Sequence, residues 1–143
     1  MRTQAIATYE NTAGDETAYD ERADSPTLLR ATVRRDFQGD LTGESVAEVL
    51  ICRSAPDRLG YVATDRFEGR LGDRTGSFVF QHGGPIDRGV LRSFGYVVPG
   101  SGTGYLRELQ GDVTIAVTEA GGHTLTLGYD FEAGMVSEKI RNY

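Results

Sequence analysis

GRLGDRTGSFVFQH, Gly69–His82, sets a glycine-bearing turn at Gly72 to Thr75 between two runs in which apolar and polar residues alternate, and its reading decides the fold. Alternation with a period of two marks a strand with one buried face, and Gly-Asp at the break supplies the chemistry of a tight hairpin. VVPGSGTG, Val97–Gly104, repeats the theme of a short strand followed by a glycine-dense turn. Outward from these two stretches the same period recurs, at Gln4 to Glu10, Leu28 to Phe37, Leu41 to Arg53, Gly60 to Glu68, Gly76 to His82, Val90 to Val98, Asp112 to Glu119 and His123 to Glu132. About eight strands separated by turn signals, with little helix, predict an all-β chain: a single small antiparallel β-barrel spanning residues 1–143. The acidic stretch Thr12 to Ser25 reads as a loop or lid. Gly134 to Tyr143 reads as a short charged tail, helical or frayed.

Composition narrows the function classes. The chain of 143 residues is long enough to bury a core without a disulfide or a metal. Its 19 glycines, nearly twice the usual share of about 7%, punctuate strands, since they show no collagen-like period. Net charge is −6, and the arginines are scattered, so nucleic acid and anionic membrane surfaces are disfavoured as partners. One cysteine, Cys52, and two histidines, His82 and His123, make neither a disulfide nor a structural zinc site. Cys52 reads as a small core residue and His123, beside Gly121-Gly122, as exposed. No apolar run of spanning length or signal-peptide type is seen, so the expected location is the cytoplasm.

Hairpin register can be sketched from the turns. A turn around Ala55 to Leu59 sets Glu48 opposite Arg66, the turn at Gly72 to Thr75 sets Arg66 opposite Phe80, and Gly83 to Gly89 sets Phe80 opposite Phe94 and Phe78 opposite Tyr96. On that register one face gathers Glu48, Arg66, Phe78, Phe80, His82, Phe94 and Tyr96, and its aromatics say that it is buried. The other face carries Val49, Ala63, Val79, Gln81, Ser93, Gly95 and Val97, small enough for a half-exposed surface or a subunit contact. In the last hairpin Val113, Ile115 and Val117 pair with Tyr129, Leu127 and Leu125 as plain core. An apolar interior with a small polar island is how small-molecule pockets are lined.

Gly100, Gly102 and Gly104 resemble a phosphate loop, but the following Tyr105-Leu106-Arg107 offers neither a Walker lysine nor a helix start, so they form a turn. Glu48 and Arg66 read either as a cross-strand ion pair or as a pair that orients a polar substrate group. His82 either bonds the turn backbone or acts as an acid or base at a pocket mouth. Tyr61, Tyr96 and Tyr129 can donate phenolic hydrogen bonds to a ligand or to a backbone carbonyl. No GxSxG elbow or Cys-His pair supports covalent catalysis.

The chain resembles the bacterial domain of unknown function 3224 family from about Ile6 to Glu132. The resemblance rests on DETAYDE (Asp15–Glu21), RATV (Arg30–Val33), FQGDLTGES (Phe37–Ser45), GRLGDRTGSFVFQH, VVPGSGTG and LGYDF (Leu127–Phe131). It implies an allene oxide cyclase-like β-barrel and, by analogy with barrel cyclases, a small-molecule pocket; fold analogy does not itself supply an activity. The family pattern places tryptophans where this chain has Gly14 and Phe94, which implies a wider pocket or a looser lid.

These readings lead to a cofactor-free cyclase or isomerase of a hydrophobic, polyketide-like or lipid-like metabolite, with a non-catalytic binding or carrier barrel as the alternative. Confinement in the barrel would fold the substrate. Glu48, Arg66, Tyr96 and His82 are the expected catalytic groups, while Phe78, Phe80, Phe94, Tyr61, Tyr129 and Gly14 would shape the pocket. No metal or cofactor is expected, and a homodimer or trimer is open.

Overall fold

The computed structural model describes residues 2–131, and within them the chain is all-β with no helix. Ten strands follow in order: β1 (Thr3–Asp20), β2 (Thr27–Gly39), β3 (Leu41–Ala55), β4 (Arg58–Leu71), β5 (Arg74–Asp87), β6 (Val90–Leu91), β7 (Phe94–Val97), β8 (Thr103–Gly104), β9 (Leu109–Val117) and β10 (His123–Phe131). Antiparallel pairing runs β4-β3-β2-β1-β10-β9-β7-β5, and the β4–β5 pairing closes these eight strands into a ring. The two-residue strands β6 and β8 hang on β5. Closure removes open edges, and eight strands leave an interior just wide enough for side chains or one small ligand. The charged tail expected from Gly134 to Tyr143 lies outside the described residues.

Alternation along each strand sends every second side chain inward. Ala5, Ala7 and Tyr9 of β1 are buried while their neighbours are exposed, and Phe37, Phe67, Phe78 and Phe80 follow the same rule on β2, β4 and β5. One half of the barrel is packed solid by these aromatics with Leu41, Leu71, Leu106, Leu109, Leu125 and Leu127. Phe37 meets Phe67 at 5.5 Å between centroids, Phe67 meets Phe78 at 5.2 Å, and Phe78 meets Phe80 at 5.9 Å. Each buried ring of this kind contributes about 1.5–3 kcal/mol. Gly43 and Gly69 face each other across β3 and β4, and a Cβ on either would run into the opposite strand's backbone. Both have positive φ, 150° and 156°, so the sheet coils sharply where no other residue is accommodated.

The observed register corrects the expected one. The β4–β5 loop is Gly72-Asp73, with Gly72 at φ 61°, which pairs Asp65, not Arg66, with Phe80. A one-residue slip exchanges the faces of a strand, so Asp65 turns inward with Phe80 and Arg66 turns out. Across β3–β4 the slip is two residues and Glu48 meets Thr64. Between β5 and β7 the intervening β6 hairpin pairs Gln81 with Tyr96 and Gly83 with Phe94, turning both aromatics outward. Val49, Ala63, Gly95 and Val97, expected on the lesser face, belong to the interior rows, whereas Val79 and Gln81 are outside. The last hairpin keeps Val113, Ile115, Leu125 and Leu127 as core, slid so that Leu125 meets Ile115 and Leu127 meets Val113, while Val117, expected with them, pairs with His123 at the strand end and is exposed.

Thr12 to Ser25 is not a loop throughout. β1 continues through it to Asp20, paired with β2, and only the residues after Asp20 turn. Polarity there reflects a strand at the barrel's rim, where neither face needs to be apolar. VVPGSGTG is the expected turn: Gly100 and Gly104 have φ of 79° and 62°, and the latter pairs with Gly76.

Candidate functional site

Above the solid half, small residues on neighbouring strands withdraw from the axis. Ala31, Ala47, Val49 and Ala63 form a separate cluster flanked by Val33, Ile51 and Tyr61. The space they leave contributes to a cavity of about 220 Å³, whose apolar wall includes Ala31, Val33, Val49, Leu59, Ile86 and Ile115. Its polar lining is Tyr9, Arg35, Tyr61 and His82, with Glu16 and His123. That volume is below the 300–1,000 Å³ of pockets for drug-sized ligands, so a compact molecule is what fits.

Beside the cavity lies a buried network centred on Asp65, which is 0% exposed. Its Oδ2 accepts from Arg35 Nε at 2.9 Å and from Ser45 Oγ at 2.7 Å, and its Oδ1 accepts from His82 Nε2 at 2.8 Å. Burial pushes the Asp65 carboxyl up, but the His82 hydrogen bond, the Arg35 and His82 charges and the Ser45 hydroxyl together outweigh it and hold it below the ordinary 3.8. An ionised Asp65 is acceptor-only, so His82 carries its proton on Nε2. In the neutral ring Nδ1 is then an acceptor, and Tyr61 Oη lies 3.2 Å from it and donates. The result is a chain, Tyr61 to His82 to Asp65, running from the cavity surface into the wall.

Tyr9 adds to the floor. Its ring stacks on His123 at 4.8 Å and lies 5.3 Å from the Arg35 guanidinium carbon. Burial is the main cause that raises the Tyr9 phenol to about 12; the Arg35 charge opposes it, and Tyr61 and Asp65 add to it. Tyr61 is raised too, by burial first and by Asp65, against Arg35. Both phenols are therefore protonated donors near neutrality. His123 is not the exposed residue expected from its turn: it is half-buried, and burial, then the Arg35 charge, lowers its pKa below 6.5.

The expected site residues separate into groups. His82 and Tyr61 come together at the cavity, and Phe78 and Phe80 lie buried in the packed half next to them, with Phe80 stacked on His82 at 5.3 Å. Tyr129 is partly buried and packs against that half. Gly14 pairs with Val33 on the inward side but is exposed, with the nearest atom 4.0 Å from where its Cβ would be, so it stands at the open rim. Glu48, Arg66, Tyr96 and Phe94 are all on the outside of the barrel, where Glu48, Tyr96 and Phe94 share with His82 the lining of a groove of about 510 Å³. Glu48 is bound there by Arg30 at 3.0 Å and Thr32 at 2.7 Å, and Tyr96 donates to Gln81 at 2.8 Å. Arg66 lies in an outer groove with Arg34, Glu44 and Glu68. Phe94 is 50% exposed, so it cannot widen the interior. Cys52, read as core, is also exposed.

Sequence reasoning missed Asp65, Arg35, Ser45 and Tyr9. A signal for the first two was present in the alternation. Asp65 is in phase with Tyr61, Ala63 and Phe67, and Arg35 with Ala31, Val33 and Phe37, so each is a charge written into an apolar phase. Among the described residues no group of three or more histidine, cysteine, aspartate or glutamate side chains is arranged to hold a metal.

A crystal structure of a protein of unknown function from Shewanella oneidensis MR-1, of the DUF3224 family, superposes with a TM-score of 0.79 at 29% identity, covering 94% of this chain and 100% of that one. A comparison with curated proteins finds no match. The family model described as "protein of unknown function (DUF3224)" matches residues 5–129, nearly the whole barrel, and the chain belongs to the DUF3224 family.

Proposed function

We propose that the barrel is a cofactor-independent isomerase or cyclase that takes in a compact, largely apolar molecule and moves one proton at a carbonyl group. The observation that carries the reading is the chain Tyr61–His82–Asp65, which opens on an apolar cavity at one end and ends at a buried carboxylate at the other. Tyr61 Oη takes the proton from the carbon next to the substrate carbonyl as its own proton passes to His82 Nδ1, the atom that accepts its hydrogen bond. The proton returns from Nδ1 through Tyr61 to the substrate, so no net proton is consumed. Asp65 orients the ring through Nε2–H and faces the imidazolium in the protonated state, and Arg35 and Ser45 hold Asp65 in place. The apolar wall keeps water from competing and confines the substrate in few conformers. The hydrophobic character expected of the ligand is retained; a long polyketide or lipid chain does not fit within about 220 Å³.

The test is exchange of solvent deuterium into hexan-2-one and cyclohex-2-enone, followed by NMR, with the native chain, Tyr61→Phe, His82→Gln and, as a control on the outer surface, Glu48→Gln. General acid–base groups contribute typically ~10²–10⁴-fold, so the first two variants should lose about that factor and the control none. Native protein that binds both ketones without exchange supports the carrier barrel instead. Loss in Glu48→Gln with activity kept in His82→Gln would refute an interior site.

A further inference from the structure

Two donors on the cavity lining have no hydrogen-bond partner among the described residues. Arg35 spends Nε on Asp65 and Nη1 on Asn11, at 2.9 and 3.1 Å, and among the described residues its Nη2 makes no hydrogen bond. Tyr9 Oη likewise makes none. Tyr9 is 5% exposed and Arg35 7%, so both side chains are more than nine-tenths buried. No fully buried side-chain nitrogen or oxygen lacks a partner among the described residues, so these two groups keep a solvent-reachable surface. Both side chains line the cavity, and their rings and guanidinium are neighbours, 5.3 Å from carbon to centroid. The carboxylates are already engaged: Asp65 takes three donors, and Glu16 at the cavity edge is held by Arg53 at 3.0 Å. Arg35, which only donates, is therefore the one charged group of the lining with capacity left toward the cavity among the described residues.

We propose that the cavity binds a short-chain carboxylic acid as its anion, with the carboxylate on Arg35 Nη2 and Tyr9 Oη and the hydrocarbon against Ala31, Val33, Val49 and Ile115. This rests on the interior-ligand reading above and names its substrate class: an acid whose reacting carbonyl or unsaturation reaches Tyr61. A carboxylate accepts several hydrogen bonds at once, and charge-assisted bonds are about twice as strong as neutral ones. An alcohol or amide oxygen can accept from both donors but carries no charge, so its bonds to Arg35 are the weaker, neutral-acceptor kind. Arg35 faces Asp65 on one side and the ligand on the other. The guanidinium can serve both because its donors fork in different directions.

The experiment is an NMR titration of the intact chain with hexanoate, hexanamide and hexan-1-ol at neutral pH, repeated with Tyr9→Phe. Tyr9 Oη has no hydrogen-bond partner among the described residues, so the variant should fold with an unchanged or raised midpoint. Native protein should prefer hexanoate by about ten-fold over hexan-1-ol, and Tyr9→Phe should lose about ten-fold for hexanoate with little change for the alcohol, the worth of one hydrogen bond to a charged group. Equal affinity for all three probes, or hexanoate binding untouched in folded Tyr9→Phe, overturns the proposal. The two readings fail separately: ketone exchange without any preference for hexanoate removes the acid and leaves the proton relay. Hexanoate held through Tyr9 with no ketone exchange removes the relay and leaves the acid.

Discussion

Exchange of Asp65 for asparagine changes almost no volume but withdraws the charge at which Arg35, Ser45 and His82 all point, at 2.9, 2.7 and 2.8 Å. The amide oxygen cannot take three donors as the carboxylate does, and the amide nitrogen brings donors of its own toward the same groups. Arg35, 7% exposed, is left as a buried cation without its partner. Removing one member of a buried ion pair costs about 3–5 kcal/mol, against a total of about 5–15 kcal/mol for a domain of this size. The urea midpoint should fall accordingly with an unchanged slope, and the thermal midpoint by roughly 10–15 °C. Asp65→Leu combined with Arg35→Met should recover part of the loss, because apolar replacement of a whole buried pair is often neutral. The pH dependence follows from the same residue. The folded carboxyl is held below 3.8, so the unfolded chain binds the extra proton; this stability is complete above 3.8 and is lost as pH falls through the lower folded value. Asp65→Asn should remove that part of the acid transition. A variant within about 1 kcal/mol of the native chain at neutral pH would refute the claim that Asp65 holds the network together.

Ala31→Leu should fill the cavity from the β2 wall: up to about three buried methylenes at ~0.8 kcal/mol each raise the thermal midpoint if they fit without strain, while hexanoate and ketone binding disappear on NMR titration. His123→Asn should flatten stability between pH 7.5 and 5. The folded His123 is held below 6.5, so the unfolded chain binds the proton more tightly, and the native barrel loses stability as pH falls below that value, which melting curves at the two pH values will read.

Strand positions were legible in the sequence because period-two alternation survives wherever one face of a strand is buried, and that holds from Ala5 to Leu127. Faces were harder. Glu48 and Arg66 were placed inward with Phe80 because the Gly72-Asp73 loop was counted one residue long, and in a sheet one residue exchanges inside for outside. Tyr96 and Phe94 went the same way through β6, a two-residue strand too short to leave a pattern. His82 was recovered because it continues the Phe78, Phe80 phase. Asp65 and Arg35 were passed over for the opposite reason: a charged residue in an apolar phase looks like an error of phase until its partners are known, and those partners stand on other strands, 30 residues apart for Arg35 and Asp65. Thr12 to Ser25 reads as a loop in sequence because strand polarity at a rim, which holds as far as Asp20, leaves no alternation to see.

The ring is closed by β1 pairing with β10, the first described strand with the last. That seam is held by backbone pairing and by Tyr9 stacked on His123. The hydrogen bonds of Asp65 with Arg35 and His82 join β2, β4 and β5 and do not cross it. Weakening the stack should therefore loosen the ring without parting the buried charges.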